Sequence, residues 1–270
     1  MARRLATRVA VGRRIIEVWC APDPLVFEGV SAARVGRALR GRRVRAARRH
    51  GKHLWLELDR RPWLLMHFGM TGGLHAPERA PVHLMSTRGW SPPGWPPRFA
   101  KLRLTFDDGG ALAMADARRL GRIRLRGDPR RELPLANLGF DALRELPAPG
   151  RFRALLRARA APMKALLLDQ TFAAGVGNWI ADEVLYQSRI APHRSARTLT
   201  AEEAARLRRR LGAVLATAVA AGANSDRYPR TWLFHHRWDH DALARTASGA
   251  RIRWETIAGR TTAWAPSTQR

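Results

Sequence analysis

At 270 residues the chain is long enough for one or two domains, and 46% apolar residues suffice for a sizeable core. A formal net charge of +27 is too large for an average soluble enzyme and attracts polyanions through counterion release, so nucleic acid is the first partner to consider. Arginine is spread from end to end rather than gathered on one helix, no apolar run approaches the ~20 residues of a membrane span, and no apolar signal segment follows Met1. A cytoplasmic protein without membrane contact is expected. Cys20, the one cysteine, excludes an internal disulfide and a zinc site of four thiolates.

Ala2 to Val11 has helical spacing and Gly12 ends it. Ile15 to Cys20 then reads as an extended run closed by Pro22 and Pro24, and Ser31 to Leu39 as a short helix. Val44 to Arg49, His53 to Leu58 and Leu64 to Gly69 read as successive strands, a pattern that predicts a β-sandwich or barrel. His75 to Arg98, rich in Pro, Trp and Gly and without a period, reads as a long loop. A hairpin follows, Leu102 to Phe106 and Leu112 to Asp116 around Asp107-Asp108-Gly109-Gly110, and Ile123 to Leu125 adds a strand.

The spacing gives four regions: a β-sandwich over 1–128, a linker over 129–150, a helical region over 151–225 and a tail hairpin over 226–270. In the third, Arg151 to Ala160 is helical, and Thr200-Ala201-Glu202-Glu203 is a capping box opening a helix to Ala221. In the tail, Arg251 to Ile257 and Thr261 to Trp264 form a hairpin with Arg260 near its tip. His235, His236 and His240 lie beside it in a Trp-rich segment, where structural or phosphate-contacting roles outweigh metal ligation, and no metal is expected.

The stretch Lys164 to Arg194, KALLLDQTFAAGVGNWIADEVLYQSRIAPHR, carries the most information. A leucine-rich segment leads to Gly175-Val176-Gly177, where glycine permits unusual backbone angles and close approach. Asn178 starts a helix whose apolar side holds Ile180, Val184 and Leu185, with Asp182, Glu183 and Gln187 on the remainder, and which Pro192 stops. An Asn there can cap the first turn, and amides left free attract a phosphate; an ordinary helix hairpin with a capping Asn is the plain alternative.

The whole string resembles the helix-two-turn-helix core of the formamidopyrimidine-DNA glycosylase and endonuclease VIII family, matching it at Lys164, Asp169, Gly175, Gly177, Asn178, Ala181 and Glu183. HGKHLWLELD around Lys52, HFGMTGGL around Met70, DARRLGRIRL around Arg118 and GRTTAWAP around Arg260 resemble the same family in the same order. The WLFHHRW segment and tail look most like its zinc-less branch. The resemblance implies an α+β fold: an N-terminal β-sandwich, a helix-two-turn-helix domain and a C-terminal zinc-less β-hairpin finger. It implies a DNA base-excision repair protein, a bifunctional glycosylase and abasic-site lyase that acts on oxidised bases through an N-terminal proline imine, without metal or soluble cofactor.

Its partner would be double-stranded DNA containing oxidised bases or abasic sites, bound by a monomer in the cytoplasm and associated with the nucleoid. Met70, Arg118 and Leu120 match the void-filling positions, although Met70 and Leu120 also suit a core. Lys52, His67, Lys164, Asn178 and Arg260 match the phosphate grip. Of 49 basic residues only Lys52, Lys101 and Lys164 are lysines, so a retained lysine is itself suggestive.

The start departs from the family. MARRLATRVAVGRRI aligns with what normally follows a PELPEVE-like stretch, so the stretch with the nucleophilic proline is expected to be missing from the chain as given, through a misassigned start or a true truncation, and no catalytic nucleophile is assigned. Two rival readings follow: a catalytically inactive damaged-DNA or abasic-site binder, and a general basic nucleic-acid-binding protein. The second leaves the β-rich first half unexplained.

Overall fold

The structure, a computed structural model, describes residues 1–77, 94–238, 240–241 and 243–270. Residues 78–93, the middle of the stretch read as a long loop, lie outside the described residues. The chain forms two compact units, Met1–Asn137 and Leu138–Arg270.

The first unit contains helix α1 (Ala2–Ala10), strand β1 (Ile15–Cys20), helix α2 (Ala32–Leu39), and strands β2 (Val44–His50), β3 (His53–Leu58), β4 (Trp63–His67), β5 (Gly73–His75), β6 (Ala100–Phe106), β7 (Ala111–Ala115) and β8 (Arg122–Arg126). They make two four-stranded antiparallel sheets, ordered β1-β6-β7-β5 and β2-β3-β4-β8. Alternation drives the pairing: in β6, Leu102, Leu104 and Phe106 point inward while Arg103 and Thr105 stay half-exposed. These three join Ile15 and Val18 of β1, Leu54, Leu56 and Leu58 of β3, and Leu64 and Met66 of β4 in one core shared by both sheets. The arrangement is a sandwich. Ser31 Oγ caps α2 by accepting from the amide of Arg34 at 3.2 Å.

In the second unit, strand β9 (Phe140–Asp141) precedes helices α3 (Pro149–Arg157) and α4 (Met163–Leu168). Strand β10 (Ala173–Ala174), helix α5 (Asn178–Ser188), helix α6 (Ala201–Ala220) and strands β11 (Arg253–Ile257) and β12 (Arg260–Trp264) follow. Residues 138–150, within the stretch read as a linker, are structured: β9 pairs parallel with β10, and Phe140 packs on Phe172 at 5.3 Å between ring centroids. The capping box at Thr200 and Glu203 forms in full. Helix α5 ends earlier than Pro192, because Arg189 adopts left-handed angles (φ 56°, ψ 38°) and its amide turns back to Leu185 and Tyr186.

Candidate nucleic-acid interface

Each unit presents its own cluster of the residues singled out from sequence. In the first unit the cluster lies at one end of sheet β2-β3-β4-β8. Lys52 sits at the tip of the β2–β3 hairpin, exposed, with His53 and His67 directly paired across β3 and β4. Where β4 ends, the turn Phe68-Gly69-Met70 leaves the sheet; where β8 begins, the turn Arg118-Arg119-Leu120 enters it. Met70 is 58% exposed and Leu120 39%, and Arg118 is exposed, so none of the three is core.

Asp116 locks these turns together. It is 1% exposed, and its Oδ2 accepts from the Gly121 amide at 2.6 Å while its Oδ1 accepts from the Arg118 amide (3.2 Å) and the Thr71 hydroxyl (3.1 Å). Sequence reasoning missed it, although an Asp two residues before an amide it can cap is a legible turn signal. The turns touch at Gly69, whose φ is +63°. A Cβ there would lie 2.7 Å from the carbonyl carbon of Leu120. Gly69→Ala is therefore expected to part the turns and cost about 2 kcal/mol from backbone strain alone. Urea unfolding of the two proteins checks it; equal midpoints would show that the turns are not pressed together.

The histidines are neutral at physiological pH. Burial first, then the charges of Lys52, Arg124 and Arg122, hold His67 down to about 4. Burial, His67 and Arg124 hold His53 to about 3. Their ring centroids are 4.8 Å apart. His67 Nδ1 accepts from the Gly69 amide at 3.2 Å, which leaves the proton on Nε2 as a donor. Because both folded values lie below the unfolded 6.5, the unfolded chain binds more protons in this window and stability falls on acidification. Between pH 6.5 and about 5 each histidine is expected to remove about 1.5 kcal/mol. Thermal melts of His53→Phe against the parent should show a flatter acid limb; parallel limbs would refute it.

In the second unit the GVGN segment forms the turn between α4 and α5. Gly175 (φ +102°) uses an angle that glycine alone adopts readily, whereas Gly177 has ordinary extended angles and open space around it. Gln170 braces the loop, donating to the carbonyls of Leu168 (2.8 Å) and Val176 (3.0 Å) and accepting from Gly175 N (3.1 Å). Asn178 does not cap α5: Gly177 is the N-cap, and the Asn178 amide instead donates to the Thr261 carbonyl at 2.9 Å. That bond fastens the hairpin to the helix start. Arg260, adjacent to Thr261, follows the tight Ala258-Gly259 turn (φ 50° and 69°) and is exposed. Gly177, as N-cap, supplies no side-chain cap to the first turn of α5.

Lys164 occupies a different place from the surface grip that the resemblance suggested. It is fully buried, donates to the Asn178 carbonyl at 2.9 Å, and pairs with Asp182, because α4 packs its first turn directly on α5. Burial lowers its pKa and Asp182 opposes the shift. Asp182 also accepts from Arg237 (Nη2 at 2.6 Å) and from the Ala263 amide (3.2 Å), so one buried carboxylate joins α4, the WLFHHRW segment and β12. Its neighbour Glu183, equally buried, accepts from the Phe234 amide at 2.8 Å and from Gln187 at 2.7 Å. Desolvation raises it to about 7. Asp182 and Glu183, read on the polar side of α5, are therefore internal, and Gln187 is part-buried.

The tail histidines have separate surroundings: His235 Nε2 lies 3.4 Å from the Tyr228 carbonyl, and His240 stacks on Trp254. Among the described residues no group of three His, Cys, Asp or Glu is placed to hold a metal, and no helix is long and apolar enough to cross a membrane.

A sandwich unit with two locked protruding turns, followed by a helix-turn-helix unit bearing a clamped hairpin, defines a class of nucleic-acid-handling fold, and comparison places it. Residues 1–123 match the formamidopyrimidine-DNA glycosylase N-terminal domain and residues 138–229 match the helix-two-turn-helix domain of the same proteins. A formamidopyrimidine-DNA glycosylase of Arabidopsis thaliana is 36% identical over 269 residues, covering 100% of this chain and 69% of that protein. The crystal structure of the MutM (Fpg) protein from Thermus thermophilus superposes with a TM-score of 0.76 at 33% identity, covering 99% of this chain and 96% of the other. A Lactococcus lactis glycosylase bound non-covalently to DNA containing an abasic site shares the fold, with a TM-score of 0.79 at 23% identity over 99% of this chain and 96% of the other. The chain belongs to the formamidopyrimidine-DNA glycosylase family.

Proposed function

We propose that this protein acts in DNA base-excision repair as a DNA glycosylase with abasic-site lyase activity, on duplexes carrying oxidised bases or abasic sites. The observation that carries the reading is the pair of turns locked by Asp116, which hold Met70, Arg118 and Leu120 in solvent. Chemistry on a base requires the nucleotide to leave the stack, and the hole left behind must be filled by side chains on rigid supports. Met70 and Leu120 supply apolar wedges and Arg118 a planar cation. Lys52 and the Nε2 donor of His67 contact backbone phosphates from the first unit; Arg260 and the uncapped amides of α5 do so from the second. Asn178 contributes by holding Arg260 in place, and Lys164 by supporting the start of α5.

Bond cleavage in this reading follows the family route: an amine attacks the sugar carbon as the bond to the base breaks, opening of the sugar ring gives the imine, and loss of a proton from the adjacent carbon expels the phosphate and so cuts the strand. The protein works as a monomer in the cytoplasm, associated with the nucleoid. The test is borohydride trapping of the protein expressed from its native gene on oxidised-base and abasic duplexes. A reduced covalent adduct is the expected result. Tight abasic-selective binding without an adduct would move the protein to the lesion-binding reading, and equal affinity for intact duplex would overturn both.

A further inference from the structure

The turn that carries Arg118 and Leu120 has a second anchor, independent of Asp116. Arg119, between the two outward residues, adopts left-handed angles (φ 57°), which a residue with a side chain holds only when its surroundings impose them. Its guanidinium turns inward onto Asp23: Nε lies 3.2 and 3.0 Å from the two carboxylate oxygens and Nη2 lies 3.0 Å from Oδ1. Asp23 is 6% exposed and takes its other contact from Lys101 Nζ at 2.8 Å. Its backbone is equally fixed, since its carbonyl accepts from the amides of Val26 and Phe27, and Val26 in turn receives the amide of Ile123 on β8 at 2.7 Å. Burial alone would raise the Asp23 pKa, but the hydrogen bonds from Arg119 and Lys101 outweigh it and hold the group to about 2, so the clamp is charged at any working pH.

We propose that Asp23, through its two-pronged hold on Arg119, is a positioning residue for the void-filling turn, fixing the out-in-out order of residues 118, 119 and 120. Asp23 does not touch DNA; it keeps Arg119 from competing for phosphate and keeps Arg118 and Leu120 aimed into the gap that an extruded nucleotide leaves. This role rests on the base-extrusion reading above.

The test uses the full chain with two duplexes, one intact and one holding an abasic site flanked by 2-aminopurine, whose fluorescence reports the loss of stacking when a side chain enters. Readings are taken at saturating protein, so that the amplitude does not depend on how much protein is folded. Asp23→Asn is expected to lose about tenfold in its preference for abasic over intact duplex, with a smaller fluorescence amplitude and little change on intact DNA. Arg119→Gln removes the same clamp from its half-exposed end while Lys101 still pairs Asp23, and covers the case in which Asp23→Asn folds poorly. The double variant should lose no more than either single one. Parental preference and amplitude in both single variants would overturn the role of Asp23 and leave the repair reading intact. A parent protein that does not prefer the abasic duplex would overturn the repair reading and the proposal together.

Discussion

Asp182→Ala is expected to destabilise the C-terminal unit by about 3–5 kcal/mol, because it leaves Lys164 and Arg237 as buried cations with no countercharge. The cost arises from stranding the partners rather than from the worth of the ion pairs themselves. Replacing a whole buried ionic group by apolar residues of matched volume is often neutral, whereas removing one member is not. Three contacts to the Asp182 carboxylate are lost at once, from Lys164 of α4, from Arg237 of the WLFHHRW segment and from the Ala263 amide of β12, while Lys164 keeps its bond to the Asn178 carbonyl. The Arg260 tip should then lose its fixed position before the helices themselves melt. Urea unfolding with hydrogen exchange on residues 253–264 checks both parts; a loss under 1 kcal/mol, with the hairpin still protected, would mean that water or a neighbouring carbonyl satisfies the cations.

Glu183→Gln should act in the opposite direction, and only in part of the pH range. The folded carboxyl titrates at about 7 against an ordinary 4.5, so the folded state holds a proton that the unfolded chain has released. The stability associated with it is complete below pH 4.5 and declines as the pH rises through about 7, where it levels off. The amount is on the order of 3 kcal/mol. Glutamine keeps an acceptor for Phe234 and a partner for Gln187 without carrying charge. Thermal melts of the variant should therefore match the parent near pH 4.5 and exceed it from neutrality upward. A variant that is less stable than the parent at pH 8 would show that the carboxylate is needed charged. The sandwich unit runs the other way in acid, since His53 and His67 favour deprotonation.

The elements of the sandwich were legible because their apolar residues alternate on a period of two, as in β6, and because turn residues separate them. Spacing alone would have suited Met70 and Leu120 to a core, yet both stand in solvent, as does Arg118. What sequence could not supply was the direction of charged side chains. Lys164, Asp182 and Glu183 look like a solvated face on a helical projection, yet all three are buried, because α5 is covered by α4, α6 and β12. Arg237 lies among aromatic residues and gave no sign of its reach to Asp182. Asn178 was a reasonable cap by residue type; a distant carbonyl, that of Thr261, captured its amide instead. The stretch 138–150 lacks a strong period, so its short β9 strand, which depends on pairing with β10, could not be read locally.

The economy of lysine in this chain has a practical side. Lys164 is sealed inside the second unit and Lys101 is largely buried against Asp23, whereas the residue Lys52 at the β2–β3 tip is exposed to solvent. Mild acylation or reductive alkylation should accordingly mark a single lysine, next to His67, and install a fluorophore at the face proposed for phosphate contact without altering any of the 46 arginines. The same selectivity simplifies peptide mapping of aldehyde adducts. A stabilised imine can reside on Lys52 or on an α-amino group, and a tryptic digest, which cannot cut at an alkylated lysine, tells the two apart by mass.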